Sequence, residues 1–171
     1  MSASTRLEAA LDRQEIAEFV VTNSMLADGG APGDWERYRQ RYAEAITIDY
    51  SSTLADPPKE ISRDLLMPYW KSLIDAFDIT QHIVSNLVVT LDGDNASCRS
   101  YVISNHRIGG DVWSCGGIYD HGLRRASGTD GGWLITAQRF SSLFETGDRS
   151  VFERGIAKAI PSPLKQAAAK A

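Results

Sequence analysis

The chain from Thr80 onward constrains the fold most. QHIVSNLVVTL (81–91) is β-branched and extended, and LDGDNA after it reads as a hairpin turn. SCRSYVISNHRI follows and is closed by Gly109–Gly110. DVWSCGGIYDHGLRRA comes next, with paired glycines that predict a bulge. After the turn SGTDGG, WLITAQRFSSLF is the last long strand. Four long strands joined by tight turns form an antiparallel sheet.

The first part of the chain reads as helices with one early strand. Leu7 to Asp28 carries an apolar stripe of Leu7, Leu11, Ile16, Phe19, Val20 and Leu26. GGAPGD ends it, and Asp34 is placed to cap a second helix, WERYRQRYAEA. ITIDYSS is the early strand, and ISRDLLMPYWKSLIDAF a third helical segment with Pro68 inside it. Asp148 to Gly155 reads as a short helix. Helices segregated on one face of a curved antiparallel sheet make an α+β fold, a cone whose mouth is a natural ligand cavity. Residues 1–156 are expected to form one domain, and 157–171 (AKAIPSPLKQAAAKA) a loosely attached tail, poor in large apolar side chains.

Several function classes drop out. A net charge of −4 and a pI near 5.3 do not suit a nucleic-acid binder. MSASTRLEAALDR lacks the apolar core of a signal peptide and no apolar run spans a bilayer, so a cytoplasmic protein with no membrane partner is expected. Cys98 and Cys115 lie in no CxxC pair, and His82, His106 and His121 have no metal-ligand spacing. No GxGxxG, Walker-type loop or GxSxG is present. The expected chemistry uses no cofactor and no metal.

GDWERYRQ before ITIDYSS, then TQHIVSN, GGIYDHGLRR and GGWLITAQR, resemble the SnoaL-like branch of the nuclear transport factor 2-like (NTF2-like) superfamily. The resemblance runs from about Leu7 to Phe152 and is nearest to the scytalone dehydratase-like lyases. It implies the cone-shaped fold and a proton-transfer site. Tyr50 matches a pocket tyrosine of those lyases, His82 their catalytic histidine, and Arg139 a position that is basic in them. Asp28 falls where relatives keep an acidic residue at the end of the first helix. Their helix-end Tyr-Asp pair falls on Gly30 and Ala31, so part of the carbonyl-polarising apparatus has no counterpart.

Strand alternation extends this list. His82 shares a face with Val84, Asn86 and Val88. Tyr50 shares one with Ile48, leaving Asp49 on the other. Arg139 falls on the face of Trp133, Ile135 and Ala137. On SYVISNHRI either Tyr101 and Asn105 or Ser104 and His106 face the cavity. The first pair is the more coherent polar set, and His106 is expected at the surface. On GGIYDHGL either Asp120 or the pair Tyr119 and His121 does so. The resulting expectation is a lyase of dehydratase type acting on a hydrophobic phenolic or polycyclic substrate, with release of formaldehyde from a lignin-derived aromatic dimer as a variant. His82, Tyr50, Asp28 and Arg139 would be catalytic; Asn86, Tyr101, Asn105, Tyr119 and His121 would bind substrate. A double-bond isomerase is the neighbouring reading, and a non-catalytic counterpart of ring-hydroxylating dioxygenase small subunits the other class. A homodimer or homotrimer is expected.

Overall fold

The computed structural model describes residues 3–54, 57–129 and 131–166. Residues 55–56 and 130, in two of the expected loops, lie outside them. Helix α1 (Ala3–Asp28) leads into α2 (Asp34–Gln40) and strand β1 (Tyr42–Asp49). A single turn, α3 (Ser51–Leu54), strand β2 (Lys59–Ser62) and helix α4 (Arg63–Ile74) follow. The four long strands are β3 (Ile79–Asp92), β4 (Asn95–Ile108), β5 (Asp111–Arg125) and β6 (Trp133–Gly147); α5 (Ser150–Lys158) and α6 (Pro163–Gln166) close the chain. The six strands form one sheet in the order β2-β1-β6-β5-β4-β3. All neighbours are antiparallel except β1 and β6.

The first half departs from the sequence reading at four places. Gly33, not Asp34, stands at the cap of the second helix, and the strand read through Ser52 ends at Asp49, with Ser51–Leu54 helical. The second helix stops at Gln40 because the sheet claims the backbone after it. The Ile135 N–H donates to the Arg41 carbonyl at 2.8 Å, and Tyr42 pairs with Ile135. The segment opening ISRDLL is a short edge strand, with Ile61 opposite Ile46. The helix behind it starts at Arg63, where the Ser62 hydroxyl accepts from the Asp64 N–H at 3.2 Å.

Strand register slips at four places: at Ser85–Val88 in β3, opposite Gly116–Gly117 and opposite Gly122–Leu123 in β6, and between Tyr42 and Thr47 where β1 meets β6. The bulge expected in the strand of the paired glycines is on its partner instead: Leu143 of β6 is the extra residue, and β5 itself runs on unbroken against β4. α1 packs its Ile16, Phe19, Val20 and Leu26 into the concave face, all buried. Leu7 and Leu11, assigned to the same stripe, are exposed. The expected loose tail is packed at Leu164. Leu164 is buried in the main core, and the Lys59 ammonium donates to its carbonyl. Residues 167–171 of the expected tail lie outside the described residues. Among the described residues no helix is long and apolar enough to cross a membrane.

Candidate active site

Helix α1 ends with Asp28 against β3, and the strand supplies three hydrogen bonds to its carboxylate. Thr80 donates its hydroxyl to Oδ1 at 3.0 Å, the His82 N–H donates to Oδ2 at 2.7 Å, and His82 Nδ1 meets Oδ1 at 2.6 Å. A carboxylate at a helix C-terminus opposes the helix dipole, and these bonds offset that. Burial pushes the Asp28 carboxyl up. The hydrogen bonds and charge of His82, with the Thr80 hydroxyl, outweigh burial and hold it below the usual carboxylate range. An ionised carboxylate can only accept, so the proton sits on Nδ1 of His82. The lone pair of Nε2 is left for the cavity that His82 lines.

That cavity has a volume of about 150 Å³ and lies between the concave face of the sheet and α1, α2, α4 and α5. Its walls are largely aromatic, with Trp35, Trp70, Phe77, Trp113, Phe140 and Phe152 among them. The polar groups form a chain. Asn23 donates to the Tyr42 hydroxyl at 3.1 Å, which contacts Tyr38 and Gln138 Oε1, each at 2.9 Å. Gln138 Nε2 donates to the Tyr50 hydroxyl at 2.6 Å. This leaves the proton of the Tyr50 phenol free to donate, toward Tyr119 or toward a ligand oxygen. Burial pushes the Tyr50 phenol well up and that of Tyr119 to about 12, so both stay neutral donors.

Five of the nine expected site residues therefore meet in one place: Asp28, His82, Tyr50, Tyr119 and His121. The open question on β5 resolves in favour of the Tyr119–His121 face. Four expectations are corrected. Arg139 points outward, its side chain 55% exposed and 3.8 Å from Asp49. The slip at Gly122–Leu123 reverses alternation along β6, so Gln138 takes the inward position. Asn86 is exposed and sits in the left-handed region (φ 55°) at the β3 bulge, beyond which Leu87 and Val89 face the core. Tyr101 and Asn105 lie on the outer face of β4. Tyr101 is 49% exposed, and Asn105 hydrogen-bonds Gln81 and Ser114.

The inward side of β4 carries Val102, Ser104 and His106 instead. His106 is a cavity residue, not a surface one, with its ring 5.8 Å from that of His82. Burial, then the charge of His82, pushes its imidazole down to about 3. Gln138 and Asn23 went unnoticed in the sequence. A signal existed for Asn23, a polar residue spaced four from Phe19 and three from Val20 and Leu26 on an apolar stripe. For Gln138 none existed, since the slip that turns it inward leaves no residue signature. Among the described residues no group of three or more His, Cys, Asp and Glu could hold a metal ion.

Residues 8–139 match the SnoaL-like domain family. The fold is similar to that of the Kfla4162 protein of Kribbella flavida (24% identity, TM-score 0.75, covering 85% of this chain and 99% of that one). It is similar also to a candidate scytalone dehydratase of Novosphingobium aromaticivorans (19%, TM-score 0.67, covering 86% and 92%). Hexachlorocyclohexane dehydrochlorinase LinA type 2 shares it as well (12%, TM-score 0.62, covering 86% and 93%). At these identities the likeness is one of fold. None of the curated proteins matches the chain.

Proposed function

Because the chain belongs to the SnoaL-like domain family, we propose that it is a cofactor-independent lyase working by general acid–base elimination. The observation that carries this reading is the Asp28–His82 pair, with Nδ1 held by the carboxylate and Nε2 left for an apolar-walled cavity. In the reaction, His82 Nε2 takes a proton from carbon next to an electron-withdrawing oxygen function. The negative charge that builds on that oxygen meets the Tyr50 phenol, aligned by Gln138 and adjoining Tyr119. The carbon–oxygen bond of the leaving group breaks as the double bond forms, and the imidazolium returns its proton to the departing hydroxyl, giving water. General acid–base catalysis of this kind supplies roughly 10²–10⁴-fold.

The cavity of about 150 Å³ is joined at His82 and His106 by a wider groove that Asp28 and Thr80 also line, so the space beside the base extends past the aromatic walls. An open cavity speaks against a purely supporting subunit, in which side chains would fill the space. The expected self-association remains a proposal. Ile83, Tyr101, Ile103 and Phe144 are exposed together on the outer face of the sheet, and light scattering would show a dimer or trimer, or else a monomer.

The test is turnover of hydroxyketones and phenolic alcohols by the metal-free protein, followed by product mass, with His82→Ala alongside. Loss of water that disappears in the variant supports the reading. An unchanged mass with a shifted absorbance would make the protein an isomerase, and no turnover of any compound that binds would remove the lyase assignment.

A further inference from the structure

Asp28 is oriented without a permanent cation. Among the described residues its ion pair is with His82, whose charge depends on the proton it carries. Two other carboxylates, Asp75 and Asp78, line the same opening as Asp28 and Thr80, and each has its own partner. Asp75 accepts from Lys71 at 2.6 Å, and Asp78 from the Gly109 N–H at 2.6 Å. What orients Asp28 is a pair of neutral donors on β3. The His82 N–H holds Oδ2 at 2.7 Å, and the Thr80 hydroxyl holds Oδ1 at 3.0 Å. Oδ1 is also the oxygen that meets His82 Nδ1 at 2.6 Å.

The two oxygens are held differently. The backbone donor belongs to the strand and stays in place, but it fixes only Oδ2 and leaves the carboxylate free to turn about that contact. The His82 ring cannot stop this turning, because the ring rotates on its own side-chain torsions and follows the oxygen. Thr80 can stop it. Its branched Cβ restricts the hydroxyl to few rotamers, and it stands two residues from His82 on the same face of the strand. Thr80 and Asp28 both line the groove outside the cavity, and water from that groove is the competitor for Oδ1 once the hydroxyl is gone.

We propose that Thr80 is a positioning residue whose hydroxyl pins Oδ1 of Asp28, so that the proton of neutral His82 stays on Nδ1 and Nε2 stays a free base. Without the pin, the carboxylate turns or takes water, and the imidazole loses its fixed acceptor. A share of it then carries the proton on Nε2, where it donates and cannot accept. The catalytic consequence rests on the lyase reading, in which Nε2 is the base; the state of the imidazole does not.

Nitrogen NMR on protein isotope-labelled at histidine tests this without a substrate, on the alkaline side of the His82 titration, with His82→Ala to assign the signals. The shifts of the two ring nitrogens report which one bears the proton. Wild type and Thr80→Ser, which keeps the hydroxyl, should show Nδ1–H alone. Thr80→Val, which keeps the shape and loses the hydroxyl, should show a mixture with Nε2–H; if it does not fold, Thr80→Ala makes the same comparison. Deuterium uptake into an aryl ketone that binds but cannot eliminate should fall about tenfold in kcat in Thr80→Val, one charge-assisted hydrogen bond's worth. KM should stay within about twofold, and Thr80→Ser should restore kcat. Nδ1–H alone in the variants that lack the hydroxyl, Nε2–H in the wild type, or a loss that Thr80→Ser shares would overturn the proposal. A proton position that depends on Thr80 in a protein with no uptake at all would remove the lyase reading alone.

Discussion

Arg139 and Gln138 are neighbours, and their positions assign them opposite fates. Arg139 lies on the outer face in a loose contact with Asp49, and pairs of this exposure contribute little. Arg139→Ala should leave turnover unchanged within about twofold and stability within about 0.5 kcal/mol. A large loss of kcat would mean that the guanidinium reaches the substrate. The two buried histidines carry a second expectation. His106 is pushed down to about 3 and His121 to about 4, chiefly by burial. Below about 6.5 the unfolded chain takes up protons that the folded chain refuses, so their contribution is full above that pH and declines as pH falls. The decline approaches about 1.4 kcal/mol per pH unit for each histidine. Urea unfolding between pH 7 and pH 5 should show it, and His121→Gln should remove roughly half of the slope. A stability that is flat across that range would mean that the imidazoles are hydrated.

At the level of elements, the bulges decide what faces inward. Gly116 and Gly117 pass beneath aromatic rings on β6. A methyl at Gly116 would first meet the ring of Phe144, a flexible side chain that is 51% exposed. A methyl at Gly117 would lie 2.5 Å from both the Phe140 ring and the Ser141 carbonyl oxygen, and backbone cannot move aside. Gly117→Ala should therefore cost about 1–3 kcal/mol and Gly116→Ala distinctly less, as read from urea midpoints. Equal losses would place the strain elsewhere. The same bulges explain what could be read in advance. Paired glycines announced one slip, though it lies on the partner strand, and β-branched runs with turn residues announced the four long strands. Tyr50, His82 and Asp28 were legible through the family resemblance. Asn86 and Arg139 were misplaced because alternation was carried straight through slips that flip it. Tyr101 and Asn105 were expected to face the cavity as the more coherent polar pair, yet Ser104 and His106 on the other face line it.

For the whole molecule, helices close a curved sheet over an aromatic-walled cavity, and even the last helix packs into the core. Leu164 is 6% exposed within the main core. Leu164→Ala should lower stability by about 2 kcal/mol or more, whereas a loosely attached tail would tolerate it. The central claim is that Asp28 and His82 together remove a proton from carbon inside this cavity. Proton exchange tests it without knowledge of the leaving group. Aryl ketones that bind the protein but cannot eliminate would be held in D₂O, and deuterium uptake at the carbon beside the carbonyl followed by NMR. Uptake well above the buffer rate is expected with the wild type, lowered by about 10² or more in His82→Ala and in Asp28→Asn. Uptake at the buffer rate for every ketone that binds, or uptake undiminished in His82→Ala, would contradict it.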